Sequence, residues 1–241
     1  MIQVVHRSID IIEYIANDIN KPKLMGTIAR DLNLNTATCA NIIRTLVSRG
    51  LLKRAENEKG YLIGELLFEI SKGTLGFKDL LKKAAPILEA IAESFNENCL
   101  IAILKENKRQ VILNKISNQL IQATTPIEKL AYDSSTGRLL IAFLSDKEIL
   151  QFLKKYGLPN KDVWGNAASR IGFFEQIDAI RKQGYSLIED TVQIVGIAVP
   201  IYKNQKVIAS FSIYVPSFRL TDPIKQKMIE LALEASKTLS T

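Results

Sequence analysis

The chain has 241 residues, 47% of them hydrophobic and 24% charged, with a net charge of +7 and a pI near 9.3. This length and apolar content suit two domains of unequal size with a sizeable buried core. No apolar run approaches the roughly 18 residues of a membrane-spanning helix, and Cys39 and Cys99 fit no metal-ligand spacing. The first residues include Asp10 and no small-residue cleavage site, so we expect no signal peptide and a cytoplasmic protein. We also expect no metal and no cofactor.

The positive charge is spread along the chain. Lys and Arg nearly balance Asp and Glu over the first 70 residues, and most of the excess lies beyond them. The bulk charge therefore indicates a solvated lysine-rich surface as readily as a nucleic-acid partner.

Residues 6–19 predict an amphipathic first helix that covers the element after it. Isoleucines recur there at spacings of three and four: Ile9, Ile12, Ile15 and Ile19. Pro22 ends the pattern. His6 is the one histidine of the chain and has no carboxylate or cysteine arrangement around it, which indicates a surface or capping position.

Residues 27–54 predict a helix-turn-helix. Ile28, Ala29 and Leu32 give the first helix one apolar face, and Asn35 is placed to cap the second helix. Gly50 follows where a helix end needs a left-handed residue. The second helix has apolar residues at helical spacing, which face a core: Ile42, Ile43, Leu46 and Val47.

Residues 51–54 and 60–63 predict two strands joined by the polar turn 55–59, the shape of a wing. The order of helix, helix-turn-helix and wing predicts a winged DNA-binding domain over residues 1–64, and a module that binds protein instead is the alternative. The outer face of the second helix is small, polar and basic, which suits the major groove. The candidate DNA contacts are Asn35, Thr36, Ala37, Thr38, Asn41, Arg44, Thr45, Lys53, Arg54 and Lys59.

Residues 65–96 are helical in pattern, with interruptions at Gly73, Gly76 and Pro86. One apolar side persists through the segment, which indicates packed helix and not a free linker. We place a helical connector at 65–76 and a second domain at 77–241.

Beyond residue 98 the pattern predicts an α+β domain with an antiparallel sheet. Strand patterns cover 100–104, 111–116, 185–189, 194–202 and 206–215, and helical patterns cover about 134–156, 170–183 and the segment after Thr221. This domain has no histidine, one cysteine, and no paired carboxylates, phosphate loop or nucleophile elbow, so we do not expect an enzyme.

The whole chain resembles the isocitrate lyase regulator (IclR) family of bacterial transcription regulators, a winged helix-turn-helix followed by a GAF-like ligand-binding domain. The resemblance depends on the order and spacing of short pieces: 28–29 with 33–34, 46–51, 134–138 with 140–144, 184–185, 198–201, and 210–216 leading to 219–221.

The resemblance implies a repressor or activator, of which we favour the repressor. Such a protein binds palindromic operator DNA as a homodimer or homotetramer and responds to a small metabolite, frequently a carboxylate. Free amides and hydroxyls at a helix N-terminus suit such an anion, and Arg138 nearby would add charge, whereas ordinary capping by Ser134 or Ser135 is the alternative reading. The matching effector positions are Ser135, Thr136, Gly137, Glu189, Asp190, Gly196, Ser212 and Tyr214.

Three positions depart from the family pattern. Gly196 stands where many relatives carry a cysteine, Tyr214 where many carry a serine, and Asn41 where an arginine is common. Tyr214 would either stack on a ligand or fill the pocket. A regulator with an occluded pocket and no effector is therefore the alternative function.

Overall fold

The computed structural model describes residues 2–56 and 58–241, apart from the side chain of Lys72, and the chain divides into two compact units, Met1–Phe77 and Lys78–Thr241. No helix in those ranges is long and apolar enough to cross a membrane. In the first unit the elements are α1 (Gln3–Ala16), α2 (Met25–Asp31), α3 (Thr36–Ser48), β1 (Leu52–Arg54), β2 (Tyr61–Ile63) and α4 (Glu65–Lys72).

In the first unit, α1 starts and ends earlier than the predicted 6–19. Ile11 and Ile15, one helical turn apart, are its fully buried residues, whereas Ile9 and Ile19 are about half exposed. The prediction that Ile9 and Ile19 face the core was wrong. Ile19 lies beyond the end of α1, so its spacing of four residues from Ile15 does not place it on a face of that helix. His6 is exposed on α1.

The second helix of the predicted pair, α3, begins as its sequence indicates. Asn35 is its N-cap, and the Asn35 side chain accepts a hydrogen bond of 2.9 Å from the Ala37 amide. Ile42, Ile43 and Leu46 are buried in one cluster with the buried residues of α1 and α2. The chain leaves the helix through Gly50 at φ 73°, as predicted.

Strands β1 and β2 pair antiparallel, with Leu52 opposite Ile63. Asn57 belongs to the predicted turn and lies outside the described residues. The hairpin also contacts the segment before α2, because Lys23 and Tyr61 exchange backbone hydrogen bonds of 2.9 and 3.0 Å.

The second unit is built on a six-stranded antiparallel sheet in the order β5-β4-β3-β8-β7-β6, so the predicted α+β arrangement is confirmed here. Its strands are β3 (Asn98–Lys105), β4 (Lys108–Lys115), β5 (Glu128–Leu130), β6 (Ser186–Glu189), β7 (Ile194–Lys203) and β8 (Lys206–Pro216). Its helices are α5 (Lys78–Ser94), α6 (Ser135–Ala142), α7 (Asp146–Tyr156), α8 (Lys161–Trp164), α9 (Arg170–Gln183) and α10 (Asp222–Leu239).

Helices cover both faces of this sheet. α5 and α10 pack on one face, where the Cys99 thiol donates to the Leu88 carbonyl over 3.3 Å. α6 lies on the other face, and its Leu139 shares a core cluster with Ala198 of β7. Alternate residues of the central strands therefore meet two separate cores.

Two helix predictions were wrong in detail. α5 continues through Pro86, since Ala84 and Leu88 on either side of it are buried and hold the helix against the sheet. The predicted helix 134–156 is two helices, because Ser145 starts α7 with a capping box to Glu148.

Candidate functional site

A cavity of about 30 Å³ lies between the start of α6 and the sheet. Most of the predicted effector positions line it, although they come from distant parts of the sequence. The predicted residues in the lining are Ser135, Thr136, Asp190, Gly196, Ser212 and Tyr214.

The N-terminus of α6 supplies the polar end of the cavity. Ser134 caps the helix, and its side chain accepts a hydrogen bond of 3.1 Å from the Gly137 amide. Ordinary capping is therefore done by Ser134. The hydroxyls of Ser135 and Thr136 remain in the cavity lining, beside the amides that a helix start leaves without helical partners.

Tyr214 forms an apolar and well-held wall. It is 4% exposed, packs with Leu100 and Ala102, and its hydroxyl donates to Asn114 Oδ1 over 3.1 Å. Burial raises the pKa of Tyr214 to about 12, so the phenol is neutral at physiological pH.

An ion-pair cluster forms one side of the cavity. Lys129 Nζ lies 2.6 Å from Asp190 Oδ2 and 3.0 Å from Asp133 Oδ2, and all three side chains are at most 13% exposed. Asp190 Oδ1 also accepts from the amides of Val192 and Ile194, at 3.0 and 2.9 Å. The cluster ties β5 to the turn between β6 and β7.

The structure adds a buried cation that the sequence analysis missed. Arg109 of β4 is 2% exposed and lines the cavity together with Thr125 and Lys129. The Arg109 guanidinium donates to the Thr125 hydroxyl, and at 3.4 Å to the Ile127 carbonyl. In the sequence, Arg109 follows a polar turn and has the pattern of a surface residue, so only the tertiary structure identifies it.

Three residues named from the sequence lie elsewhere. Glu189 is exposed on β6, outside the cavity lining. Gly137 packs on Ala131, since a Cβ on Gly137 would come within 2.2 Å of the Ala131 carbonyl oxygen. Arg138 does not add charge to the cavity, because its guanidinium is held elsewhere.

The Arg138 guanidinium makes structural contacts outside the cavity. It donates to the carbonyls of Tyr132 at 2.7 Å and Val163 at 2.6 Å, and it stacks on Trp164 at 4.5 Å. Burial lowers the pKa of Arg138 to about 10. Arg138 therefore fastens the start of α6 to the helices beside it.

In the first unit, the predicted DNA-contacting residues lie on α3 and the hairpin. Most of them are exposed; Thr38 is half-buried. Arg44 donates to Asn41 Oδ1 over 3.2 Å, and the Thr45 hydroxyl donates to the Asn41 carbonyl over 2.9 Å. The exposed hairpin residues of the predicted set are Lys53, Arg54 and Lys59.

The known proteins that this chain resembles are transcriptional regulators. The C-terminal family model of the bacterial transcriptional regulator IclR matches residues 73–241. The HTH-type transcriptional regulator BhcR of Paracoccus denitrificans is 23% identical over 99% of this chain and 86% of its own length. The HTH-type transcriptional repressor AllR of Escherichia coli K12 is 21% identical over 99% of this chain and 89% of its own.

Solved structures show the same fold. An IclR homolog of Microbacterium hydrocarbonoxydans, complexed with 4-hydroxybenzoate, has a TM-score of 0.61 at 21% identity and covers 98% of both chains. The family consists of regulators and not of enzymes. Because the family model matches more than half of the chain, this protein belongs to the IclR family of bacterial transcriptional regulators.

Proposed function

We propose that the protein is a DNA-binding regulator, acting as a repressor, whose operator affinity is controlled by a small anionic metabolite. In this proposal residues 1–64 form a winged helix-turn-helix, 65–76 connect, and 77–241 bind the effector and oligomerise. The observation that carries the proposal is the cavity at the start of α6, where hydroxyls and charged side chains from four separate elements meet.

The DNA-binding part rests on the two faces of α3. One face is buried through Ile42, Ile43 and Leu46, while the other exposes Asn41 and Arg44. A helix with a short polar outer face enters the major groove, where Arg and Asn side chains read base edges. Lys53 and Arg54 on β1 suit phosphate contacts.

The effector part rests on polar chemistry that suits an acid. A helix N-terminus favours an anion, and the cavity lining adds the hydroxyls of Ser135 and Ser212. The structural relative from Microbacterium holds 4-hydroxybenzoate, which supports a carboxylate as the class of ligand.

We expect a homo-oligomer because a single recognition helix is short. One recognition helix contacts too few base pairs for useful specificity in a genome, so two copies on a palindromic operator are expected. The proposed partners are therefore double-stranded DNA, a small effector, and further copies of the chain as a dimer or tetramer.

A second candidate is a regulator that needs no effector. The cavity is only about 30 Å³, and Tyr214 is fixed in its wall by the hydrogen bond to Asn114. If that side chain does not move, the cavity stays small.

The test is thermal melting against small carboxylates, sugars and aromatic acids, followed by a band shift with the gene's own upstream DNA. A ligand that raises the Tm and also changes the band shift supports the effector-controlled regulator. A band shift that falls steeply with salt, without any thermal response, supports the second candidate. Absence of any band shift contradicts both.

A further inference from the structure

In the part of the chain that the structure describes, Arg109 is the charged side chain of the cavity lining that has no direct ion pair. Arg109 is among the largest fully buried side chains, and among the described residues no carboxylate forms an ion pair with it. A guanidinium has five N–H donors. The structure gives it hydrogen bonds to Thr125 and Ile127, both neutral oxygens.

The nearest negative groups are already engaged. Asp190 is paired with Lys129 and accepts from two backbone amides, and Asp133 is paired with Lys129 and accepts from the Thr191 hydroxyl at 2.9 Å. Burial lowers the pKa of Arg109, with Tyr214 and Asp190 opposing that shift. Lys129 shares its single charge between Asp133 and Asp190, so the excess negative charge of that cluster balances Arg109 without a direct contact. An anion that enters this cavity would give Arg109 a direct charged hydrogen-bond partner.

Taken together with the proposed function, on which this step rests, the geometry points to Arg109 as the side chain that anchors the effector. We infer that the effector is a small monocarboxylate, bound with its carboxylate between Arg109 and the start of α6. The cavity volume of about 30 Å³ favours a small acid over a large one. A benzoate ring would require the wall at Tyr214 to move.

The chain offers a matched control. Arg138 is a second buried arginine close in sequence to the cavity residues, but its guanidinium is occupied by two carbonyls and by Trp164. Removing Arg138 therefore removes structural contacts and leaves the proposed anion partner in place. Removing Arg109 takes away the proposed anion partner together with its hydrogen bonds to Thr125 and Ile127.

The experiment is thermal melting of the full chain with acetate and propionate, and with their neutral counterparts acetamide and propionamide. We expect the carboxylates to raise the Tm of the wild type and the amides to have no effect. In Arg109→Met the response to carboxylate should weaken by about tenfold or more in apparent Kd, because a charged hydrogen-bonded partner is lost. The Tm of this variant without ligand should be unchanged or higher. Arg138→Met should have a lower Tm, and its response to carboxylate should weaken less than that of Arg109→Met.

Several results would overturn the inference: equal responses to amides and carboxylates, no response of the wild type to either carboxylate, or a full response in Arg109→Met. Arg109→Lys keeps the positive charge and should therefore retain part of the response to carboxylate. A variant Arg109→Lys that has lost the response completely, while Arg109→Met responds normally, would also contradict the inference. A response to benzoate alone would contradict a small acid as the effector. The wild-type band shift without ligand is the separate test of the proposed function, so a failure of DNA binding and a failure of Arg109 are distinguishable.

Discussion

Gly196 on β7 lies directly against Ser135 at the start of α6: a Cβ placed on Gly196 would come 2.7 Å from the Ser135 Oγ. Ser212 on the neighbouring strand is the next side chain, with its Oγ 3.7 Å from the same point. The two serine hydroxyls therefore line the cavity together only because residue 196 has no side chain. A cysteine at this position, as the family resemblance implies for many relatives, would require the Ser135 hydroxyl to turn away.

Gly196→Ala should change ligand response more than it changes folding. The added methyl group displaces the Ser135 hydroxyl, and overpacking of this kind costs about 1–3 kcal/mol of stability. Thermal melting with and without carboxylate measures both effects. Gly76→Ala is the control, since nothing lies within 4 Å of its added Cβ. An unchanged ligand response in Gly196→Ala would remove Ser135 from the binding site.

Arg44→Ala should weaken operator binding selectively. If the Arg44 guanidinium makes a bidentate contact with a guanine, its loss costs about 1–3 kcal/mol on the operator and little on random DNA. Lys53→Ala on the hairpin should weaken binding to both DNAs, because phosphate contacts carry no sequence information. Band shifts on operator and scrambled DNA compare the two variants. Equal losses on both DNAs for Arg44→Ala would exclude base reading by this residue.

Lys129→Met should destabilise the second unit. It leaves Asp133 and Asp190 as nearly buried carboxylates without their cation, and breaking such a pair costs about 3–5 kcal/mol. The midpoint of urea unfolding measures the loss. The double variant Lys129→Met/Asp190→Asn should recover part of it, since one unpaired charge is then also gone. If the double variant is as unstable as the sum of the single variants, the pair is not energetically coupled.

Stability should depend on pH through Glu97. Burial holds the pKa of Glu97 above its ordinary value, and the charge and hydrogen bond of Arg219 oppose this only in part. A carboxyl with a raised folded pKa contributes its full stability below the unfolded pKa of about 4.3, and loses it as the pH rises through the folded value. Glu97→Gln should therefore gain stability relative to the wild type on going from pH 5 to pH 7.5.

Urea unfolding at both pH values checks this sign, with the exposed Glu175→Gln as the control. If Glu97→Gln is instead penalised more at pH 7.5 than at pH 5, the ion pair with Arg219 outweighs the cost of burying the carboxylate.

The two cysteines should report on the two units separately. Cys39 and Cys99 are both fully buried, and burial raises the pKa of both thiols, that of Cys99 to about 12. Native protein should thus resist a thiol reagent at pH 8, and each cysteine should react only when its own unit opens. Mass spectrometry of peptides labelled along a urea gradient measures the two transitions. Rapid labelling of Cys99 in native protein would contradict its burial under α5.

Local patterns were sufficient for most of the elements, but they did not predict the short strand β5 or the short helix α8. In α3, the positions of Ile42, Ile43 and Leu46 and the capping by Asn35 follow from residues within one or two turns of each other. The same reasoning failed at Ile19 and Pro86, where the end of a helix and its packing on a sheet decided the outcome. The spacing of apolar residues predicts which face of a helix is buried, but it does not determine where the helix ends.

By itself, the sequence determined the type and order of most elements, the antiparallel α+β arrangement, and the family to which the chain belongs. Only the tertiary structure decided the composition of the cavity. The sheet order β5-β4-β3-β8-β7-β6 brings Arg109 of β4 and Lys129 of β5 to Gly196 of β7 and to Ser212 and Tyr214 of β8, which are distant in the sequence. A charged residue after a polar turn has the pattern of a solvated surface, and its burial depends on which strand covers it. For that reason Arg109 could be found only once the pairing of the strands was known.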